Sequence, residues 1–233
     1  IPTPDGIKMM GDLVDGDVIF GSSGRQVTVS KAHDVQIGRD TYRVTTANGD
    51  SLVASDGHLW TAAPLTGPGR RKLSTWTTRQ MVEDGRKFSI PRAGIFQSEP
   101  TDLPLDPYIL GAWLGDGSTG KAQIAIGESD VAEMGHELTS RGLTLRPIRV
   151  AVGSCPVFTF TNRSRGSARE SMGSGAARAL RSLDCYTSKH IPEAYFAAGT
   201  EQRIELLRGL MDTDGCFTNN LCVFITASER LAR

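Results

Sequence analysis

Two stretches of this chain repeat one another. Tyr108-Ile109-Leu110-Gly111-Ala112-Trp113-Leu114-Gly115-Asp116-Gly117 aligns with Leu206-Leu207-Arg208-Gly209-Leu210-Met211-Asp212-Thr213-Asp214-Gly215, 98 residues further on. In each copy an apolar helical run with a glycine at its middle, Gly111 or Gly209, stops at an acid followed by glycine. The middle glycine lets two helix backbones approach closely. The glycine after the acid suits the left-handed conformation that ends many helices. An offset of this size fits a duplicated αββαββα unit. Packed side by side, the two helices would bring Asp116 and Asp214 together at their C-terminal ends. Two carboxylates there, where the helix dipole is already negative, need a cation between them. A hard divalent ion with oxygen ligands meets that need.

The stretch before the repeat has a different texture. Pro4-Asp5-Gly6 and Asp15-Gly16-Asp17 are turn signals, and Arg25 to Ser30 alternates polar and apolar as a half-buried strand does. Thr41 to Thr46 and Ser51 to Ala54 flank Ala47-Asn48-Gly49-Asp50. Asn-Gly between strands predicts a hairpin with a type I′ turn, whose two central residues both need positive φ. The first hundred residues therefore read as all-β. After Pro104 helix-like and strand-like segments alternate. Helices are expected over 105–114, 130–140, 171–183 and 201–211, and strands over 121–126, 143–150 and 157–161. Pro100, Pro104 and Pro107 suit a linker entering a helix, which places the boundary near Glu99 to Leu103. Gly153-Ser154 and Ser164 to Gly175 read as exposed loops.

The formal charge is zero, with 26 basic and 26 acidic residues, but it is unevenly spread. Between Thr61 and Ser98 seven bases face two acids, and between Arg141 and Lys189 nine face two. Segregated basic segments can form a phosphate-binding face without a high overall pI, although a solvated charged surface gives the same pattern. Trp76, in a Ser/Thr-rich run, reads as a packing residue rather than a platform for a base. The cysteines at 155, 185, 216 and 222 are too scattered for a zinc site or disulfide framework, and read as small core residues in a reduced setting. No apolar run is long enough for a bilayer, and the first residues do not resemble a signal peptide. A cytoplasmic protein with no membrane partner is expected.

The paired segments resemble the LAGLIDADG signatures of homing endonucleases. The resemblance implies that Asp116 and Asp214 bind Mg²⁺, helped by the backbone carbonyls of Gly115 and Thr213, and that the partner is double-stranded DNA. Lys189-His190-Ile191-Pro192-Glu193 is similar to the Lys-x-Ile-Pro segment of intein endonucleases. It implies that Lys189 polarises the attacking water or stabilises the charge developing on the phosphate. Near the amino terminus, Pro4-Asp5-Gly6 and Asp12-Leu13-Val14-Asp15-Gly16-Asp17 resemble the start of an intein splicing (Hint) domain. Ser55-Asp56-Gly57-His58 lies where inteins carry Thr-x-x-His. By that match His58 protonates the scissile amide and the Ser55 hydroxyl steadies its carbonyl. The implied fold is an all-β Hint-like splicing domain over residues 1–98, followed by an α+β LAGLIDADG domain over 99–233 whose second repeat is incomplete.

Several departures from that family shape the expectation. The chain starts a few residues after the position of an intein's first residue, and the later splicing segments are not in it. As written it should neither splice nor complete a DNA-binding saddle without a carboxy-terminal segment, in cis or as a second chain, and host-protein exteins. Two other readings stand beside this one. One is a LAGLIDADG protein that binds nucleic acid without cutting, and the other is a splicing-only Hint domain with a decayed endonuclease. Intact Asp116, Asp214 and Lys189 favour the cutting form. A calcium loop at Asp212-Thr213-Asp214-Gly215 is excluded, because Cys216 and Phe217 stand where such a loop needs an oxygen ligand and a glycine.

Overall fold

A computed structural model of the chain describes residues 1–148, 151–162 and 175–232. They fall into two compact units, one of residues 1–3 and 7–96, the other of residues 4–6 and 97–233. This division lies a few residues ahead of the boundary read from the prolines.

The short strands β1 (Pro2–Thr3) and β2 (Gly6–Ile7) come first in the chain. In the first unit β3 (Val18–Phe20) pairs with β4 (Gln26–Thr28), and β5 (Thr41–Thr45) with β6 (Ser51–Ser55). The strands β7 (Leu59–Pro64), β8 (Ser74–Thr77) and β9 (Phe88–Ser89) form a three-stranded sheet with β7 in the middle. All pairings are antiparallel. The β5–β6 hairpin exists, but its turn is not type I′. Of the turn residues only Gly49 has positive φ, at 95°. The loop closes instead through Gly49 N–H to Thr46 O (3.1 Å) and Thr46 N–H to Asp50 O (2.9 Å). Asn48 uses its side chain, not its backbone, donating to the Asp50 carboxylate at 2.6 Å.

An all-β reading also overlooked a helix, α1 (Thr78–Asp84). Its signal lies in Thr77-Thr78-Arg79-Gln80. The Thr77 hydroxyl accepts from Gln80 N–H at 3.1 Å and the Gln80 side chain accepts from Thr77 N–H at 2.8 Å. This reciprocal capping box satisfies two amides that the helix itself cannot. The β-prone run Ser74 to Thr77 just before it masked the start. Trp76 packs edge-on against Phe88, ring centres 5.0 Å apart, as a packing residue does.

The second unit holds the core. Its elements are α2 (Pro107–Asp116), β10 (Gln123–Ala125), α3 (Val131–Ser140), β11 (Leu143–Ile148), β12 (Val157–Asn162), α4 (Gly175–Ser182), α5 (Glu193–Ala197), α6 (Thr200–Asp214), β13 (Gly215–Thr218), β14 (Leu221–Phe224) and α7 (Glu229–Ala232). The helix α5 had no counterpart in the sequence reading. Residues 149–150, 163–174 and 233 lie outside the described residues. So do the end of the expected strand over 143–150, the start of the helix over 171–183 and the loop over 164–174.

The helix α2 starts at Pro107 with Asp106 as its cap, accepting from Ile109 N–H at 3.2 Å. Proline fits this first turn because its missing N–H has no intrahelical partner anyway. Every residue from Tyr108 to Leu114 is buried. Around α2 lie the sheet β10-β12-β11, the helices α3, α4 and α6, and Tyr195 of α5. The Tyr195 hydroxyl donates to Leu105 O at 2.7 Å, fixing the approach to α2. Of the four cysteines only Cys185 is buried, so the reading of all four as core residues is corrected. Cys155 lies in a loop, and Cys216 and Cys222 lie on the exposed β13–β14 hairpin.

Candidate active site

The two signature helices cross at their glycines. A Cβ added to Gly111 would lie 2.1 Å from Leu206 O, and one added to Gly209 would lie 2.2 Å from Tyr108 O. Both distances are well inside van der Waals contact, so any side chain here would push the backbones apart. Four residues on, a Cβ on Gly115 would lie 2.0 Å from Thr213 Oγ1 and 3.6 Å from Asp214 N. The pairing therefore runs in parallel register, and both helices end at the same edge, at Asp116 and Asp214.

The glycines that follow the acids act differently from the expectation. Gly117 (φ −71°) and Gly215 (φ −91°) are extended, not left-handed. The chain leaves each helix directly into strand pairing, Gly117 bridging to Ile124 and Gly215 opening β13. What demands glycine is space. A Cβ at 117 would meet Trp113 O at 2.2 Å, and one at 215 would meet Met211 O at 2.4 Å.

Lys189 reaches into this edge from the segment before α5. Its Nζ donates to Gly115 O at 2.5 Å and lies 5.5 Å from the centre of the Trp113 ring. Trp113 is itself fixed, its indole N–H donating to Lys121 O at 3.0 Å. Burial pushes the Lys189 ammonium below its ordinary value, against the pull of Asp214 and Asp116. The Asp116 carboxyl is raised, first by the protein around it and then by the charge of Asp214, with Lys189 opposing. Desolvation with a specific charge partner is typical of groups poised for chemistry. Asp116, Asp214, Lys189, Gly115 and Thr213 thus converge. The Thr213 hydroxyl, for its part, bonds back to the carbonyls of Gly209 and Leu210, each at 3.0 Å.

The oxygen donors suit a hard divalent ion. Two carboxylates and a helix-terminal carbonyl carry excess negative charge, and one ammonium offsets only part of it. No group of three or more His, Cys, Asp or Glu placed to hold a metal ion occurs among the described residues, so solvent or substrate oxygens would complete any coordination shell.

The amino-terminal candidates lie together in the first unit. Ser55 ends β6, and His58 follows after a turn in which His58 N–H donates to Ser55 O at 3.1 Å. The start of α1 holds this turn. Thr78 N–H donates to His58 O and Arg79 N–H to Asp56 O, both at 3.0 Å, and the Arg79 guanidinium binds the Asp56 carboxylate at 2.9 Å. That hydrogen bond holds Asp56 below the usual carboxylate range. The His58 ring stands edge-on to Trp60, centres 4.7 Å apart, and the residue is exposed.

Sequence reasoning missed an ion network on the flank of the signature helices. Arg141 lies over the Tyr108 ring at 4.5 Å and bridges Asp106 (3.4 Å), Glu137 (3.4 Å) and Glu205. Arg208 joins through Glu205 at 2.8 Å, and the Tyr108 hydroxyl donates to Asp212 at 2.9 Å. Counted earlier as part of a basic face, Arg141 is engaged inward. Likewise Arg79 and Arg86 are paired with Asp56 and Asp84. Glu205 and Arg208 are neighbours on α6, and Glu137 and Arg141 at the end of α3, but the links from Arg141 to Asp106 and Glu205 join segments far apart in the chain, which no local pattern reveals.

No protein-family model matches the chain. A curated relative, described as a replicative DNA helicase DnaB of Mycobacterium intracellulare, is 29% identical over 256 aligned residues. The alignment takes in the whole of this chain but 39% of that relative. No helix of the described residues is long and apolar enough to cross a membrane.

Proposed function

We propose that this chain is the amino-terminal splicing segment and endonuclease segment of an intein, and that its endonuclease makes double-strand breaks in DNA at sites lacking the insertion. The observation that carries the reading is the glycine-to-glycine crossing of α2 and α6, which ends both acids at one edge beside Lys189. We read the match to a replicative helicase as a match to an inserted segment within such a protein, not to its motor. The only Gly-Lys pair in the sequence closes Gly115-Asp116-Gly117-Ser118-Thr119-Gly120-Lys121, a spacing like that of phosphate-binding loops. It is followed by Ala122 in place of Ser or Thr, and it runs from helix α2 to strand β10. A nucleotide-binding loop runs from strand to helix.

In the mechanism, Asp116, Asp214 and the carbonyls of Gly115 and Thr213 would hold Mg²⁺. When bound, such an ion neutralises charge on the scissile phosphate and lowers the pKa of a coordinated water. Lys189 provides a positive group at the same edge for a non-bridging oxygen or the attacking water. The Trp113 and Leu114 side chains behind the acids are fully buried, so the carboxylates are fixed on a rigid seam. In the first unit, His58 would protonate the scissile amide nitrogen at the amino-terminal junction and Ser55 would steady its carbonyl.

The test uses the protein from its complete reading frame and DNA spanning the helicase frame with the inserted segment removed. Asp116→Asn or Asp214→Asn should reduce cleavage more than about a hundredfold while DNA binding stays within a few-fold. Undiminished cutting by either variant refutes the reading. With both junctions present, His58→Ala should slow amino-terminal cleavage and leave the endonuclease untouched; equal splicing rates would remove His58 from its role.

A further inference from the structure

The charge at the seam's end is unbalanced. Two carboxylates add two negative charges, and the two parallel helix C-termini add roughly half a charge each. Among the described residues Lys189 is the cation held at Gly115 O, and both acids attract it. The carbonyl it holds belongs to the last turn of α2, where a helix leaves its C=O groups without intrahelical partners. Trp113 offers its ring face to the same ammonium. The backbone of this segment is tied as well. Ser228 Oγ donates to Lys189 O at 3.3 Å, and Arg230 donates to Ser188 Oγ at 2.9 Å. Lys189 is therefore held at a carbonyl that the proposed ion also needs.

We propose that Lys189 is the built-in counter-cation of the Asp116–Asp214 pair, and that a divalent ion enters only by taking the Gly115 carbonyl from it. This rests on the endonuclease reading but goes beyond it. The same ammonium keeps the metal-free seam stable and weakens metal binding. An oxygen shared between an ammonium and a divalent ion loses to the repulsion between two cations in a partly desolvated place.

Magnesium chloride and, separately, calcium chloride are titrated into the wild type, Lys189→Met, Lys189→Gln and Lys189→Arg, at fixed pH and ionic strength. Calorimetry reads affinity, and thermal unfolding reads the metal-free stability. Lys189→Met and Lys189→Gln should unfold at lower temperature without metal and bind the ion about tenfold more tightly or better. Lys189→Arg, which keeps the charge, should stay near the wild type. Adding Asp116→Asn to Lys189→Met should abolish the gain, placing the ion at the pair. Equal or weaker affinity in both neutral variants overturns the inference. If that occurs while the wild type binds the ion and cuts DNA, the endonuclease reading survives alone. If no variant binds the ion, both fall.

Discussion

The two units of this chain hold themselves together in different ways. The second buries Trp113, Tyr108, Tyr195, Phe160, Leu110 and Leu114 almost completely, in one continuous cluster from Leu105 to Leu231. The first buries Phe20, Ala54, Ala62, Ala63 and Thr78, and leaves Ile37, Leu52, Val53, Leu59 and Leu73 exposed on or beside its strands. Its order comes from ladders and turns: the β5–β6 hairpin, the β8-β7-β9 sheet and the capping box of α1. Backbone pairing is local and modest in net energy, whereas burial of large side chains is the dominant favourable term. A site that must hold two like charges together belongs on the unit that resists being pushed apart.

This contrast can be broken most sharply at Gly111. Alanine is a better helix former by about 1 kcal/mol, yet its Cβ would meet Leu206 O at 2.1 Å. Gly111→Ala should therefore destabilise the second unit by roughly 3 kcal/mol or more. In denaturant titrations of single-tryptophan variants, Trp113 reports the second unit and Trp60 and Trp76 the first. The Trp113 transition should move to lower denaturant and the Trp60 and Trp76 transitions should hold. As the matching arm, Val53→Ala in β6, where the side chain is exposed, should shift neither by more than about 0.5 kcal/mol. A large loss there would mean that the strands bury more than the structure gives them.

A smaller effect should appear with acid. Burial pushes the Glu205 carboxyl up, but hydrogen bonds from Arg208 and Arg141 outweigh it and hold the group below the usual range. A carboxyl depressed in the folded state contributes stability above its unfolded pKa, near 4.3, and that stability fades as pH falls through the folded value. The second unit should therefore weaken below about pH 4.5, and Glu205→Gln should flatten the slope. The Glu205 carboxylate is partly covered but still reached by solvent, which screens its pairing with Arg208 and Arg141, so the change should be about 1 kcal/mol or less. A pH profile identical in wild type and variant would show that Arg141 is held by Asp106 and Glu137 alone.

The sequence by itself determined the paired helices, their glycines and the acids that end them. These are local in the chain, and close approach of two backbones leaves a compositional mark at 111 and 209. It also announced the β5–β6 hairpin, through Asn-Gly between two strands, and the entry into α2, through Pro107 in its first turn. The tertiary structure decided the rest. Gly117 and Gly215 are required for room beside Trp113 and Met211, not for a left-handed φ, and only the folded chain reveals which neighbour crowds them. The hydrogen bond from Lys189 to Gly115 spans 74 residues, and that from Tyr108 to Asp212 spans 104. Long-range pairs of this kind have no periodicity to betray them, because their partners are chosen by how the elements pack.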